Sequence, residues 1–330
     1  MRKSNRPLII AARTSLLARL QTQQVAALLS AADSSFKIEY RWIESEGDRL
    51  VDASLAEAGG KGLFVRAVER LLLDGQADLA VHSLKDLPAE NTAGLTIAAV
   101  PARADVRDCL ISKSGYGSCK DLPMGAKVGT SSPRRGAQLK RIRSDLEIVP
   151  LRGNVDTRLR KVLEGEGYDA ALLARAGLLR AGFEDKARHP VAVEEILPAA
   201  CQGALALQCR VDDHVTMRRC LPVNDNISAT TAHAERAIVA GLGADCHAAL
   251  GVYVEAVEPL EGELQMKQAR QDRGRLHYRV RIKALSQDGS RCLEKDQTIP
   301  ARHLGRLIKK LVAELNAEGA GQLLNGHGKC

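Results

Sequence analysis

Lys127-Val-Gly-Thr-Ser-Ser-Pro-Arg-Arg135 is the stretch that decides the fold. A short strand, Lys127-Val128-Gly129, runs straight into a hydroxyl cluster, and Pro133 suits the first turn of a helix. A second strand at 147–151 follows, then Arg152-Gly153-Asn154 opening another helix, then an apolar strand at 169–174. Upstream the same alternation has already run once. Residues 8–11 read as a strand, and Ser15 is placed to cap a helix carrying Leu16, Leu17, Leu20, Leu28 and Leu29. Phe36, Ile38, Tyr40 and Trp42 alternate with Lys37, Glu39 and Arg41, which predicts a strand with one buried face. Gly59-Gly60-Lys61-Gly62 opens a helix with Phe64, Val68, Leu71 and Leu72 on one side. Strand 77–83 then runs into Leu84-Lys85-Asp86-Leu87-Pro88.

Two strand–helix cycles predict an α/β fold with largely parallel pairing, in two lobes that face a cleft. The remainder differs. It holds a helix at 228–242, a strand in which Tyr278, Val280 and Ile282 alternate with basic residues, and an amphipathic helix bearing Leu304, Leu307, Ile308, Leu311, Val312 and Leu315. It reads as a smaller C-terminal α+β domain, with residues 319–330 frayed.

Composition narrows the function. The chain has 330 residues and a net charge of +8, and residues 127–161 alone hold ten Lys/Arg against three Asp/Glu. Its nine aromatic residues leave few platforms for stacking bases, so a nucleic-acid partner is not expected. No apolar run is long enough to span a bilayer, and residues 8–12 are too short for a secretory apolar region. The eight cysteines are widely spaced, without metal-ligand spacing, so neither a metal site nor a disulfide framework is expected and a cytoplasmic location is.

Three predicted helix starts pair a hydroxyl or amide residue with arginine: Arg13-Thr14-Ser15, Thr130 to Arg135, and Arg152-Gly153-Asn154. Helix N-termini and arginine forks both bind anions. With Arg158 and Arg180 at nearby positions, they predict a cleft for a polyanion. Asp86 is the odd member, since a carboxylate among these cations would repel the same ligand and suits a cationic centre instead. His82 reads as a buried polar group, and Cys246 lies in a Gly-bounded loop.

These stretches resemble the porphobilinogen deaminases (hydroxymethylbilane synthases) over residues 8–251. The matching residues are Ile10-Ala-Ala-Arg-Thr-Ser-Leu-Leu-Ala18, Gly59-Gly-Lys-Gly-Leu-Phe64, His82-Ser-Leu-Lys-Asp-Leu-Pro88, Gly129-Thr-Ser-Ser-Pro-Arg-Arg135 and Leu151-Arg-Gly-Asn-Val-Asp-Thr-Arg-Leu159. Gln202-Gly-Ala204 and Ala234-Glu-Arg-Ala237 complete the set. The resemblance implies two periplasmic-binding-protein-like lobes and a third domain: 1–102 with 198–221, 103–197, and 222–330. It implies a transferase that joins four porphobilinogen molecules into hydroxymethylbilane with loss of ammonia and a final hydrolysis by water. A dipyrromethane cofactor would be held by a thioether to Cys246, with Asp86 as the catalytic residue. Arg13, Ser15, Lys61, Lys85, Thr130, Ser131, Ser132, Arg134, Arg135, Arg152, Arg158 and Arg180 would bind cofactor and substrate. It further implies a monomer that passes its product to uroporphyrinogen-III synthase. A relative that binds an acidic small molecule without turnover is the alternative. The chain departs from the family at Ala244-Asp245, where Gly-Gly is usual, and at Ala249, where proline is usual.

Overall fold

The computed structural model describes residues 6–35, 37–43, 62–245, 247–258 and 276–324, without the side chains of 62–64. Phe36 and Phe64 therefore lie outside the described side chains. The first sheet is ordered β2-β1-β3-β9-β4, from β1 (Leu8–Arg13), β2 (Ile38–Ile43), β3 (Leu79–Ser83), β4 (Leu95–Ala99) and β9 (Leu205–Arg210). β1 pairs in parallel with β2 and β3, but β9 is antiparallel to both its neighbours. Helix α1 (Leu16–Ala32) packs Val25, Ala26 and Leu29 on one face, against Leu8, Ile10 and Leu207. On the other face α2 (Gly62–Leu73) packs Val68 and Leu72 against Ala11 and Ala80.

The second sheet is ordered β5-β8-β6-β7, from β5 (Asp108–Ser112), β6 (Lys127–Gly129), β7 (Glu147–Val149) and β8 (Ala170–Ala174). It too is mixed: β6 is parallel to β7 and β8, while β5 is antiparallel to β8. Pairing is thus parallel within each helical crossover and antiparallel where a lobe is entered or completed. Leu139 of α3 (Pro133–Ile142) fills one core of this lobe, and Leu159 and Val162 of α4 (Val155–Glu164) fill another. The short α5 (Arg175–Arg180) follows β8 directly.

β9 belongs to the first sheet although it follows the whole second one. The chain therefore crosses between lobes twice, and the two crossings touch: Ala104 N donates to Gly203 O at 3.2 Å. Gly203 has φ +89°, and a Cβ there would lie 2.5 Å from Ala104 O, so only glycine permits this approach. After α6 (His214–Cys220) and α7 (Asn226–Gly241) comes an antiparallel sheet of β10 (Leu250–Val257), β11 (His277–Leu285) and β12 (Cys292–Pro300). Tyr278, Val280 and Ile282 are buried there against α7 and α8 (Leu304–Ala317).

Three local expectations change. β2 is an edge strand, so its alternation does not bury Tyr40, which is 41% exposed and stacks on Trp42 with centroids 5.1 Å apart. Leu16 and Leu28 are exposed, because α1 turns Gln21, Thr22, Val25, Ala26 and Leu29 inward. The frayed tail is in part a helix, α9 (Ala320–Leu324), with Ala320 and Leu324 buried in the third core, while 325–330 lie outside the described residues.

Candidate active site

The C-terminal end of β3 presents the acid. Leu84 is buried and its N–H donates to Ala204 O at 3.0 Å, which starts a 3₁₀ turn, Leu84–Asp86. With Leu84 held inward, Lys85 and Asp86 fall at the rim of the sheet, half-buried. Lys85 Nζ donates to Gln202 Oε1 at 3.4 Å. The charge of Asp86 acts on Arg158 of α4 in the other lobe, favouring its protonated form.

Opposite lies a buried carboxylate that the sequence reading passed over. Asp108, the first residue of β5, is fully buried and receives Arg134 at 2.8 Å, Arg135 at 2.6 Å and Gln202 Nε2 at 2.9 Å. Burial alone would raise the Asp108 carboxyl, but the two guanidinium groups hold it well below the usual carboxylate range. Arg134 also donates to Leu197 O at 2.7 Å and is 3% exposed. Arg134, expected in the anion cleft, thus joins Asp108 and Leu197 in a buried hub through its Nη atoms, while its Nε lacks a partner among the described residues. Arg135 shares the carboxylate yet also lies within reach of Arg158, whose pKa it helps to lower. Gln202 ties this hub to Lys85, so one glutamine on the returning crossing links both lobes.

The other cations of the set are differently placed. Arg158 is half-buried, its Nε has no hydrogen-bond partner among the described residues, and burial followed by repulsion from Arg135 lowers its pKa. Arg180 donates to Gly203 O at 2.8 Å, its Nε likewise lacks a partner there, and burial pulls its pKa down to about 10. Arg152 is exposed. Arg13 closes β1, one turn before α1. The caps at Ser15, Ser132 and Asn154 share a feature: none has a side-chain hydrogen bond to its helix, so Ser15 does not cap α1 as expected. Their side chains and the first N–H groups of α1, α3 and α4 remain available to an anion. Thr130 Oγ1 accepts from Ser132 N at 3.1 Å and Ser131 Oγ donates to Leu151 O at 3.1 Å, so both serve the turn that builds this site.

Lys61 and Cys246 lie outside the described residues. Among the residues that flank Cys246, Asp245 Oδ1 accepts from His247 N at 2.8 Å. Ala249 is buried with Ala137 and Leu285, so α3 packs against this segment and β11. His82 is buried as expected. Of the other cysteines, 109, 119, 201, 209 and 220 are buried thiols.

A family model described as porphobilinogen deaminase, dipyromethane cofactor binding domain, matches residues 8–218. Porphobilinogen deaminase of Lysinibacillus sphaericus is 45% identical over 249 residues, covering 75% of this chain and 80% of that protein. The porphobilinogen deaminase of Exiguobacterium sibiricum is 42% identical over 260 residues, covering 78% and 84%. A YaeC-family lipoprotein of Enterococcus faecalis is a looser structural likeness, 16% identical with a TM-score of 0.41, covering 68% of this chain and 93% of that one.

Proposed function

The chain belongs to the porphobilinogen deaminase family, and on that premise we propose how its residues act. It is a transferase of tetrapyrrole biosynthesis that polymerises porphobilinogen to hydroxymethylbilane with release of ammonia. Asp86 is the catalytic residue and Cys246 the attachment point of the dipyrromethane. The domains run 1–102 with 198–221, 103–197, and 222–330.

The residues present fit that group. Its rings carry acetate and propionate side chains, and the cleft offers what carboxylates need: Arg135, Arg158 and Arg180 with buried Nε atoms that have no partner among the described residues, and helix starts whose cap side chains make no capping bond. When bound, the dipyrromethane supplies a free pyrrole α-carbon as the nucleophile. Arg13, Arg135, Arg152, Arg158 and Arg180, with Ser15, Ser132, Lys61 and Lys85, take the carboxylates. Arg134, Thr130 and Ser131 shape the wall from behind. Asp86 opposes the positive charge that builds on the methylene of porphobilinogen as ammonia leaves, and accepts the pyrrole N–H. Holding both reactants in one cleft makes each coupling effectively intramolecular. Water completes the cycle by hydrolysis.

The observation that carries this reading is that Asp86, half-buried at the end of β3 in the first lobe, acts by its charge on the half-buried Arg158 of the second: a carboxylate among such cations suits a substrate that is anionic at its periphery and cationic where it reacts. No described helix is long and apolar enough to cross a membrane. The protein acts as a cytoplasmic monomer and hands its product to uroporphyrinogen-III synthase.

Intact-mass measurement tests the attachment. Protein from porphobilinogen-fed cells should carry the mass of two coupled pyrrole units, absent in Cys246→Ser, and an unmodified wild-type mass would overturn it. Asp86→Asn should bind porphobilinogen while turnover falls by roughly 100-fold or more. Near-normal turnover would remove Asp86 from its role.

A further inference from the structure

Behind the acid loop runs a buried chain of hydrogen bonds that the reaction as described does not use. Glu69 of α2 is 4% exposed. Its Oε2 accepts from Thr92 Oγ1 at 2.8 Å and its Oε1 accepts from Gln208 Nε2 at 2.8 Å. Gln208 of β9, also buried, meets His82 Nε2 with its Oε1 at 3.0 Å. A carboxylate only accepts hydrogen bonds, so Glu69 obliges Gln208 to turn its amide NH₂ that way and its carbonyl toward the imidazole. That carbonyl in turn requires the proton of His82 to sit on Nε2, leaving Nδ1 bare.

Two charged groups act on His82 attractively: Glu69 from α2 and Asp86 from the 3₁₀ turn. Burial outweighs both and pulls its pKa down to about 4, so the ring is neutral at physiological pH. An imidazolium at this place would be a positive charge acting on both Glu69 and Asp86, and at Asp86 it would oppose the action of that carboxylate on a cationic substrate.

We propose that Glu69 is a positioning residue, which through Gln208 fixes the tautomer of His82 beside Asp86 and through Thr92 holds the far end of the loop that carries the acid. The inference rests on the reading of Asp86 given above. Glutamine at position 69 can offer Gln208 either its carbonyl or its amide, so it releases the constraint without removing the side chain.

Selective ¹⁵N-histidine NMR decides it, with the His82 signals assigned by their loss in His82→Asn. Wild-type protein should show Nε2 protonated, Nδ1 bare and no titration between about pH 5.5 and 8.5. Glu69→Gln should show both tautomers, with kcat lowered roughly tenfold or more and KM for porphobilinogen changed less than about twofold. A proton on Nδ1 in the wild type, titration within that range, or an unaltered tautomer and kcat in Glu69→Gln would overturn the inference. The tautomer is read on the wild-type protein, so it decides even where the variant fails to fold. Full turnover in Asp86→Asn, with the wild-type tautomer intact, would overturn the reading of Asp86 and leave the tautomer standing.

Discussion

The second lobe desolvates two kinds of arginine. Arg134 and Arg135 share the buried Asp108, while Arg158 and Arg180 form no ion pair with a described carboxylate, and the Nε atoms of all four lack a hydrogen-bond partner among the described residues. The residue type is the same, and the partner makes the difference. A buried charge pair is held in place by the large penalty for separating it. A half-buried cation without a carboxylate is instead a standing demand for an anion, met when ligand arrives. The bonds to Asp108 therefore brace the fold, and in the proposed reading Arg158 and Arg180 serve the chemistry, with Arg135 sharing in both.

Substitutions can break that distinction. Asp108→Ala should be the most damaging, because it leaves two buried guanidinium groups facing each other. A loss of about 3–5 kcal/mol is expected in urea denaturation, and a loss below about 1 kcal/mol would show that the hub holds little. His82 meets burial in a third way, by staying neutral. Its folded pKa of about 4 lies below the ordinary 6.5, so the unfolded chain takes up the proton first. The stability this protects is complete above about pH 6.5 and is lost as pH falls toward 4, by about 3 kcal/mol in all. Urea melts across that range should show the slope in the wild type, and equal slopes in wild type and His82→Asn would exclude the cause. Arg158→Leu should change stability least, within about 1 kcal/mol, since it removes a desolvated cation rather than a pair. Its turnover should nevertheless fall at least roughly tenfold, so stability and activity would separate in opposite senses at Asp108 and Arg158. A stability loss as large as that of Asp108→Ala would erase the contrast.

Much of the scaffold was legible because its signals are local. Pro133 at a helix start, the alternation of Tyr278, Val280 and Ile282, and the apolar strand leading to Asp86 all act within a few residues. Tyr40 misled because alternation reports a strand but not whether that strand lies at an edge. The cap positions of α1, α3 and α4 were visible, whereas their lack of capping bonds was not. Asp108 was missed for a different reason. It opens a strand like any turn aspartate, and its partners lie 26, 27 and 94 residues away. Glu69 is hidden the same way, 139 residues from Gln208. Charge clusters in a chain announce surfaces; buried charges paired across lobes announce nothing until the chain is folded.

The paired crossings at Ala104 and Gly203 have a mechanical consequence. Two straps hydrogen-bonded side by side behave as one hinge pin, which resists sliding and shear but yields to rotation. Room for a lengthening oligomer would then come from swinging one jaw about that pin, with the span at the rim growing fastest and the span at the pin scarcely changing.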